Sequence, residues 1–470
     1  MMEALKPYAE YKESGVSWLG NVPEHWIKGP GFAAFREKQV KNTGMREKTV
    51  LSLSYGKIIV KPLEKLHGLV PESFETYQIV EPGDIIIRST DLQNDWKSLR
   101  VGLVRDQGII TSAYICFKTT DMLIPEYGYL LLHALDLMKI FYGLGSGLRQ
   151  NLSFIDFKRM LIFVPPIPEQ SAIIQYLGTQ DRRINHLIHT KRRLIELLNE
   201  QKQAIIHQAV TRGLDPNVKL KPSGIEWLGD VPEHWDSNAV KRNYMIQLGK
   251  MLQNQSNEPN DVEVPYLKAQ HIQWFSVRTT NAPKMWANPR EIEQFGIRRG
   301  DLLVCEGGEG GRCCLVGDVE PGHIIQNALH RVRPMNHSRN EYLQYVMSAV
   351  STTGWFEAIN NKATIAHFTK EKFGSLRIPF PPRPEQAVIV EYLDNSFAEI
   401  DIIIDRAHRE IALLREYRIR LISDVVTGKL DVRSVELPAL GETETLEDKD
   451  IDEDTEAEDL TDTEEDANDD

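Results

Sequence analysis

The sequence predicts a mixed α/β fold: two α/β domains joined by two long antiparallel helices that form a coiled coil, the whole a pseudo-twofold internal repeat. Three observations predict it. Ser14-Gly15-Val16-Ser17-Trp18-Leu19-Gly20-Asn21-Val22-Pro23-Glu24-His25-Trp26 returns, at an offset of 209, as Ser223-Gly224-Ile225-Glu226-Trp227-Leu228-Gly229-Asp230-Val231-Pro232-Glu233-His234-Trp235. Pro165-Pro166-Ile167-Pro168-Glu169-Gln170 returns, at an offset of 216, as Pro381-Pro382-Arg383-Pro384-Glu385-Gln386. Each copy of the second motif opens a long stretch of helical periodicity. A period this long marks a duplicated domain, since solenoid units run to about 20–50 residues.

Each half begins with a mixed part. In the first, Tyr77-Gln78-Ile79-Val80 runs into Glu81-Pro82-Gly83-Asp84 and then Ile85-Ile86-Ile87. In the second, Ile297-Arg298-Arg299-Gly300-Asp301 leads into Leu302-Leu303-Val304. A Gly-Asp turn beside β-rich runs reads as a hairpin or as the start of a strand. Helical patterns from Tyr127 to Tyr142 and from Glu341 to Asn360 complete the two α/β parts.

The long helices follow. Between Glu169 and Arg212 there is one glycine, Gly178, and no proline; between Glu385 and Thr427 there is neither. Leu177, Ile184, Leu187, Ile188, Ile195, Leu198, Ile205 and Ile206 form an apolar stripe at spacings of three, four and seven. Leu393, Ile400, Ile403, Ile404, Ile411, Leu414, Leu421 and Ile422 repeat it at the offset of 216. Such a stripe is a helix-packing seam. At a rise of 1.5 Å per residue each helix is a rod of roughly 65 Å, too long to pack only on its own domain. Glu169 and Glu385 in the first turn suit the helix dipole. Thr211-Arg212-Gly213-Leu214-Asp215 and Thr427-Gly428-Lys429-Leu430-Asp431 supply matching glycine stops. The expected boundaries are 1–166, a first domain; 167–213, a central helix; 214–382, a second domain; 383–432, a C-terminal helix; and 433–470, an acidic disordered tail.

The net charge of −13 belongs to that tail. Residues 441–470 hold 17 acids and one lysine, leaving 54 bases and 51 acids elsewhere. A near-neutral body with local basic surfaces suits a nucleic-acid binder better than the total suggests. The tail's carboxylates read as a solubility or partner-contact segment before a DNA mimic. No run of 18 apolar residues predicts a membrane span, and the N-terminus has no secretory pattern, so a cytoplasmic protein is expected. Cys116, Cys305, Cys313 and Cys314 fit neither a disulfide framework nor zinc-ligand spacing, and are expected to be small buried hydrophobes. No metal is expected, and no nucleotide-binding, metalloprotease or nucleophile-elbow motif occurs, so no catalytic residue is assigned.

Trp-Leu-Gly-x-Val-Pro-x-His-Trp at the head of each half, Pro-Pro-x-Pro-Glu-Gln before each helix, and Thr-Arg-Gly-Leu-Asp after the first form a doubled, ordered set. With them the chain strongly resembles the specificity subunit of type I restriction–modification systems, over about residues 10–433. The resemblance implies a non-catalytic, prokaryotic subunit with two target-recognition domains, each reading one half of a bipartite site in double-stranded DNA. It implies a coiled coil that spaces the domains like a ruler, with two methyltransferase subunits and two motor-nuclease (restriction) subunits as partners. S-adenosylmethionine, ATP and Mg are expected on those partners, and no cofactor on this chain. Asn94-Asp95-Trp96-Lys97-Ser98-Leu99-Arg100-Val101-Gly102 looks like one recognition-domain type. Cys305 to Arg312 with Asn327 to Pro334 looks like another. A coiled-coil assembly protein whose globular domains bind proteins is the competing reading, and an orphan subunit without partners a weaker one.

Base edges and phosphates are met by Arg, Lys, Asn and Gln. In the first domain the candidates are Arg88, Lys97 and Arg100 in the polar segment 88–105, with Arg149, Gln150 and Asn151 after a glycine-rich stretch. In the second they are Lys268, Gln270, His271, Arg312, Gln326, Asn327, Arg331 and Lys362. Ordinary solvated surface is the alternative for each. Gly307-Gly308-Glu309-Gly310-Gly311 lacks the Lys-Ser/Thr of a phosphate loop and reads as a tight turn near DNA. Trp18, Trp26, Trp227 and Trp235 are the same in both halves and are expected to pack structurally.

Overall fold

The computed structural model describes residues 5–62, 73–144, 151–225, 227–307, 309–356 and 368–435. Arg149, Gln150, Lys362 and the acidic tail lie outside them. Two compact units emerge. The first takes residues 1–191 and 408–470, the second 192–407. The long helices, Ile167–Arg212 and Arg383–Val426, are therefore divided, a part of each belonging to each unit.

The first unit is built on a four-stranded antiparallel sheet in the order Phe35–Lys38, Ile115–Thr119, Ile85–Ile87, Val101–Leu103. Helix Pro125–Leu137 covers one face, with Pro125 at its first turn where a missing N–H costs nothing. Ile85, Ile87, Phe117, Tyr127, Leu132 and Phe157 fill the core. Gly83, at φ +92°, turns the chain between Gln78–Val80 and Ile85–Ile87, but these strands do not pair. The turn starts a strand and does not close a hairpin.

The second unit repeats the order. Its sheet runs Tyr244–Leu248, Leu329–Pro334, Leu302–Cys305, Cys313–Leu315, all antiparallel. In both sheets the strands that come first, last, second and third in sequence lie side by side in that order. Helix Asn340–Ser351 takes the place of Pro125–Leu137. Beside each sheet lies a further antiparallel pair, Leu51–Ser54 with Lys57–Val60 in the first unit and Val262–Leu267 with Lys284–Ala287 in the second. The four cysteines are buried on these sheets, and burial raises each thiol pKa, that of Cys314 to about 12.

The two repeated motifs prove to be partners. In the first unit Trp26 Nε1 donates to Glu169 Oε1 at 2.8 Å, and the Tyr8 hydroxyl donates to the same oxygen at 2.7 Å. His25 Nε2 lies 2.7 Å from Glu169 Oε2. Gln170 Nε2 donates to Pro165 O at 2.9 Å and Met122 O at 2.8 Å, bonding back to the proline that precedes the helix. In the second unit His234 Nε2 meets Glu385 Oε2 at 2.9 Å, and Gln386 Nε2 donates to Pro381 O at 2.9 Å. Trp26 and Trp235 are buried, so the matching tryptophans lie in the frame.

Within each unit the helix segments run antiparallel. In the first, Arg418 pairs with Asp181 at 3.2 Å and Glu410 with Lys191 at 2.7 Å. In the second, Lys202 pairs with Asp401 at 2.5 Å. Of the seam positions, Leu177, Ile184, Ile188, Leu393, Ile400, Ile411 and Leu421 are buried. Ile195, Leu198, Ile205, Ile404 and Leu414 are half-buried. Leu187 and Ile403, assigned to the stripe by spacing, are instead 39% and 44% exposed. Each precedes a seam isoleucine and is rotated about 100° off the contact line.

Candidate nucleic-acid interface

The shared frame carries different loops. In the first unit Leu51–Ser54 and Lys57–Val60 are joined by a two-residue turn, Tyr55 and Gly56, both at positive φ. In the second, the corresponding strands are separated by residues 268–283, which fold into a short 3-10 turn at Ala269–His271 and a small hairpin, Ile272–Gln273 with Ser276–Val277. The central strands reverse this inequality. Ile85–Ile87 and Val101–Leu103 are separated by residues 88–100, while Leu302–Cys305 and Cys313–Leu315 need only 306–312. The candidate residues concentrate on these unequal loops.

Arg100 organises the loop of the first unit. Its side chain is fully buried, and its five guanidinium N–H donors meet five acceptors. Nη1 donates to Thr90 O at 2.7 Å and Arg88 O at 3.3 Å, and Nη2 donates to Asp95 O at 2.7 Å and Asp91 O at 3.1 Å. Nε donates to the Tyr142 hydroxyl at 3.2 Å, which in turn donates to Asp95 O at 2.7 Å. The expectation that Arg100 touches DNA is corrected: it has no donor left to offer, and it holds the loop from beneath. Burial pushes the Asp95 carboxyl up, but the Ser98 N–H and the charges of Arg100 and Arg88 outweigh it and hold its pKa below the ordinary value.

What the loop presents is Gln93, Asn94, Trp96 and Lys97, all exposed, with Arg88 partly exposed and 3.3 Å from Asp95. Asn151, also exposed, accepts from Asp91 N at 3.1 Å, which ties a second segment to this surface. Trp96 was not among the sequence candidates. The signal available was an aromatic residue in an otherwise polar run, which charge-based reasoning passes over.

In the second unit His271 is buried. Its Nδ1 accepts from Lys268 N at 3.0 Å, and burial lowers its pKa, so the neutral ring is a structural cap. Arg331 points inward along its strand to the carbonyl of Gly296 and is 5% exposed. Both expectations of DNA contact are thereby corrected. Arg312 is mostly covered and braces the loops, with Nη2 donating to Ala269 O at 3.3 Å and Nη1 to Glu309 Oε2 at 3.2 Å. Gln270 is exposed, and Lys268, Gln326 and Asn327 are half-buried. Asn327 N donates to Lys250 O at 2.9 Å, beside Met251, which is 75% exposed, and Leu252. Gly311, at φ +93°, is required by the turn and by the Phe356 ring, 2.3 Å from where a Cβ would lie. Gly310, where a Cβ would lie 3.0 Å from Phe368 Cβ, likewise serves packing.

The two units use one frame twice, with the same strand order under different loops. Residues 260–411 match the type I restriction modification DNA specificity domain. The chain is 21% identical over 450 residues to a putative type I restriction enzyme MjaX specificity subunit of Methanocaldococcus jannaschii, covering 90% of this chain and 98% of that one. It is 22% identical to the type I restriction enzyme EcoKI specificity subunit of Escherichia coli, covering 87% and 90%. A solved chain of a type I R-M system superposes with a TM-score of 0.64 at 16% identity, covering 87% of this chain and 99% of that chain. Over most of its length the chain is thus similar to type I restriction–modification specificity subunits, and residues 260–411 match that family's specificity domain.

Proposed function

We propose that this subunit reads a bipartite site in double-stranded DNA, with one domain for each half-site, and carries no catalytic group of its own. The observation that supports this best is the pair of unequal loops. The same strand order and the same His–Glu contact recur, while the long loop sits at 88–100 in one unit and at 268–283 in the other. A frame that repeats under loops that do not is what reading two unlike half-sites requires. The recurring motifs and helices are then the docking frame for two methyltransferase subunits and two motor-nuclease subunits. Those partners supply S-adenosylmethionine, ATP and Mg. The long helices, about 69 and 66 Å at a rise of 1.5 Å per residue, set the spacer between half-sites. The complex works in the prokaryotic cytoplasm.

The test is to map N6-methyladenine across a genome carrying this subunit and its methyltransferase. One split motif at near-complete occupancy is expected. Equal binding of the purified complex to all duplexes, with a salt slope independent of sequence, would sink the specificity reading and leave a protein-binding scaffold.

A further inference from the structure

Trp96 is 55% exposed, and yet it is held in place. One face stacks on Tyr142, with ring centroids 4.3 Å apart and planes 21° apart, and Nε1 donates to Gln93 O at 3.1 Å. Tyr142 is itself fixed, by its hydroxyl bond to Asp95 O and by the Arg100 guanidinium 5.4 Å from its ring centroid. The result is an indole with a spent inner face and an open outer face. It is pre-ordered between Arg88 and Lys97, on the loop that distinguishes the first unit from the second. Leaving so large an apolar surface in water forgoes burial energy, and a fixed rotamer removes the entropy cost of ordering it at contact.

We propose that Trp96 contacts the bases of the half-site read by the first unit, through its open face, and that Arg100 is its positioning residue. The inference rests on the reading of this chain as a DNA-specificity subunit, and it adds which side chain discriminates and what holds it. Duplex DNA offers the matching chemistry. Base edges and thymine methyl groups take apolar contact from an aromatic ring, and the flanking cations meet phosphates. Arg100 touches no DNA. It fixes the backbone of residues 88–95, and with it the level at which the indole stands.

The experiment uses the full chain in complex with its methyltransferase. Binding is measured to the mapped site, to the site altered in either half, and to random duplex, each across a salt series. Trp96→Ala is expected to weaken the cognate complex by about tenfold or more, the range of one aromatic–base contact. Discrimination should be lost in one half-site only. Random-duplex binding and the salt slope should stay unchanged, because no charge is removed. Trp96→Phe should recover part of the loss. Arg100→Lys should give the same one-sided loss and add little to it when combined with Trp96→Ala, whereas a structural role apart from Trp96 would make the two losses add. Equal weakening on cognate and random duplex, or unchanged discrimination in Trp96→Ala, would overturn the proposal. A wild-type complex with no preference among duplexes would instead overturn the specificity reading on which it rests.

Discussion

Removing the Glu169 carboxylate should cost several times what removing Glu385 costs, although the two are the same residue of the same motif. Glu169 is 4% exposed and accepts from Tyr8 and Trp26 while meeting His25. Burial, followed by this carboxylate, pushes the Tyr8 hydroxyl pKa up and keeps it a donor. Glu169→Ala leaves the buried Tyr8 hydroxyl and Trp26 Nε1 without their acceptor. A hydrogen bond to a charged group contributes about 1.5–3 kcal/mol and neighbouring bonds overlap, so a loss of about 4 kcal/mol follows. Glu385 meets His234, whose side chain is 51% exposed, and Trp235 Nε1 has no hydrogen-bond partner among the described residues. Position 217, the counterpart of Tyr8, is Asn. Solvent screens the remaining pair, and Glu385→Ala should cost about 1 kcal/mol or less. At about 2–4 °C per kcal/mol for bodies of this size, Glu169→Ala should lower the transition of the first unit by roughly 8–16 °C. Glu385→Ala should lower that of the second by at most about 4 °C. Scanning calorimetry of the two variants decides it. Equal shifts, or a shift under about 4 °C for Glu169→Ala, would refute the account.

Three further outcomes are expected. Gly428→Ala should destabilise by about 3 kcal/mol or more, read from urea midpoints, because φ is +78° and a Cβ would lie 2.4 Å from Pro23 Cδ; Gly213→Ala, at φ +74° with the nearest atom at 3.2 Å, should cost about 1–2. Burial, and after it the Arg418 charge, lowers the His133 pKa to about 4. The unfolded chain then binds the extra proton between about pH 6.5 and 4, so stability falls as pH drops through that window, by up to about 3 kcal/mol, and His133→Gln should flatten the acid limb of an unfolding-versus-pH curve. Exchange of residues 27–164 for those of a relative should change one half of the methylated motif and leave the other, as read by methylation mapping; a change in both halves would contradict one domain per half-site.

Much of the frame was legible in the sequence because helix length and termination are local properties. Proline-free periodicity after Pro165-Pro166 and Pro381-Pro382, with glycine stops at 213 and 428, locates helices that run Ile167–Arg212 and Arg383–Val426. The partner of each glutamate was not legible. A first-turn carboxylate suits the helix dipole whatever else it does, and nothing in linear spacing joins Glu169 to His25 and Trp26. The loop candidates failed for a related reason. Arg100, Arg331 and His271 are residue types that DNA contact requires, but they are also what a buried loop or strand uses to satisfy carbonyls and N–H groups. Only the positions of those acceptors decide between the two uses.

The equivalence of the units is closed by a contact that no single stretch of sequence contains. In the second unit, the end of the first long helix, Gly213, Asp215 and strand Leu220–Pro222 follow one another along the chain. In the first unit the same positions come from both ends of it. The glycine stop is Gly428, from the second long helix, and the strand is Tyr11–Glu13, from the N-terminal region. They are joined by a bridge between Lys6 and Asp431, in which Asp431 N donates to Lys6 O at 2.8 Å. The Tyr11 hydroxyl adds a bond to Lys429 O at 3.1 Å. Asp215 is the counterpart of both bridging residues, lying 209 residues from Lys6 and 216 from Asp431, so the two repeat offsets meet at this point. The two offsets belong to one repeat whose halves differ in length, with 139 positions from Trp26 to Pro165 and 146 from Trp235 to Pro381. At Asp215 the second unit is continuous along the chain, and in the first unit a single backbone bridge joins the two segments.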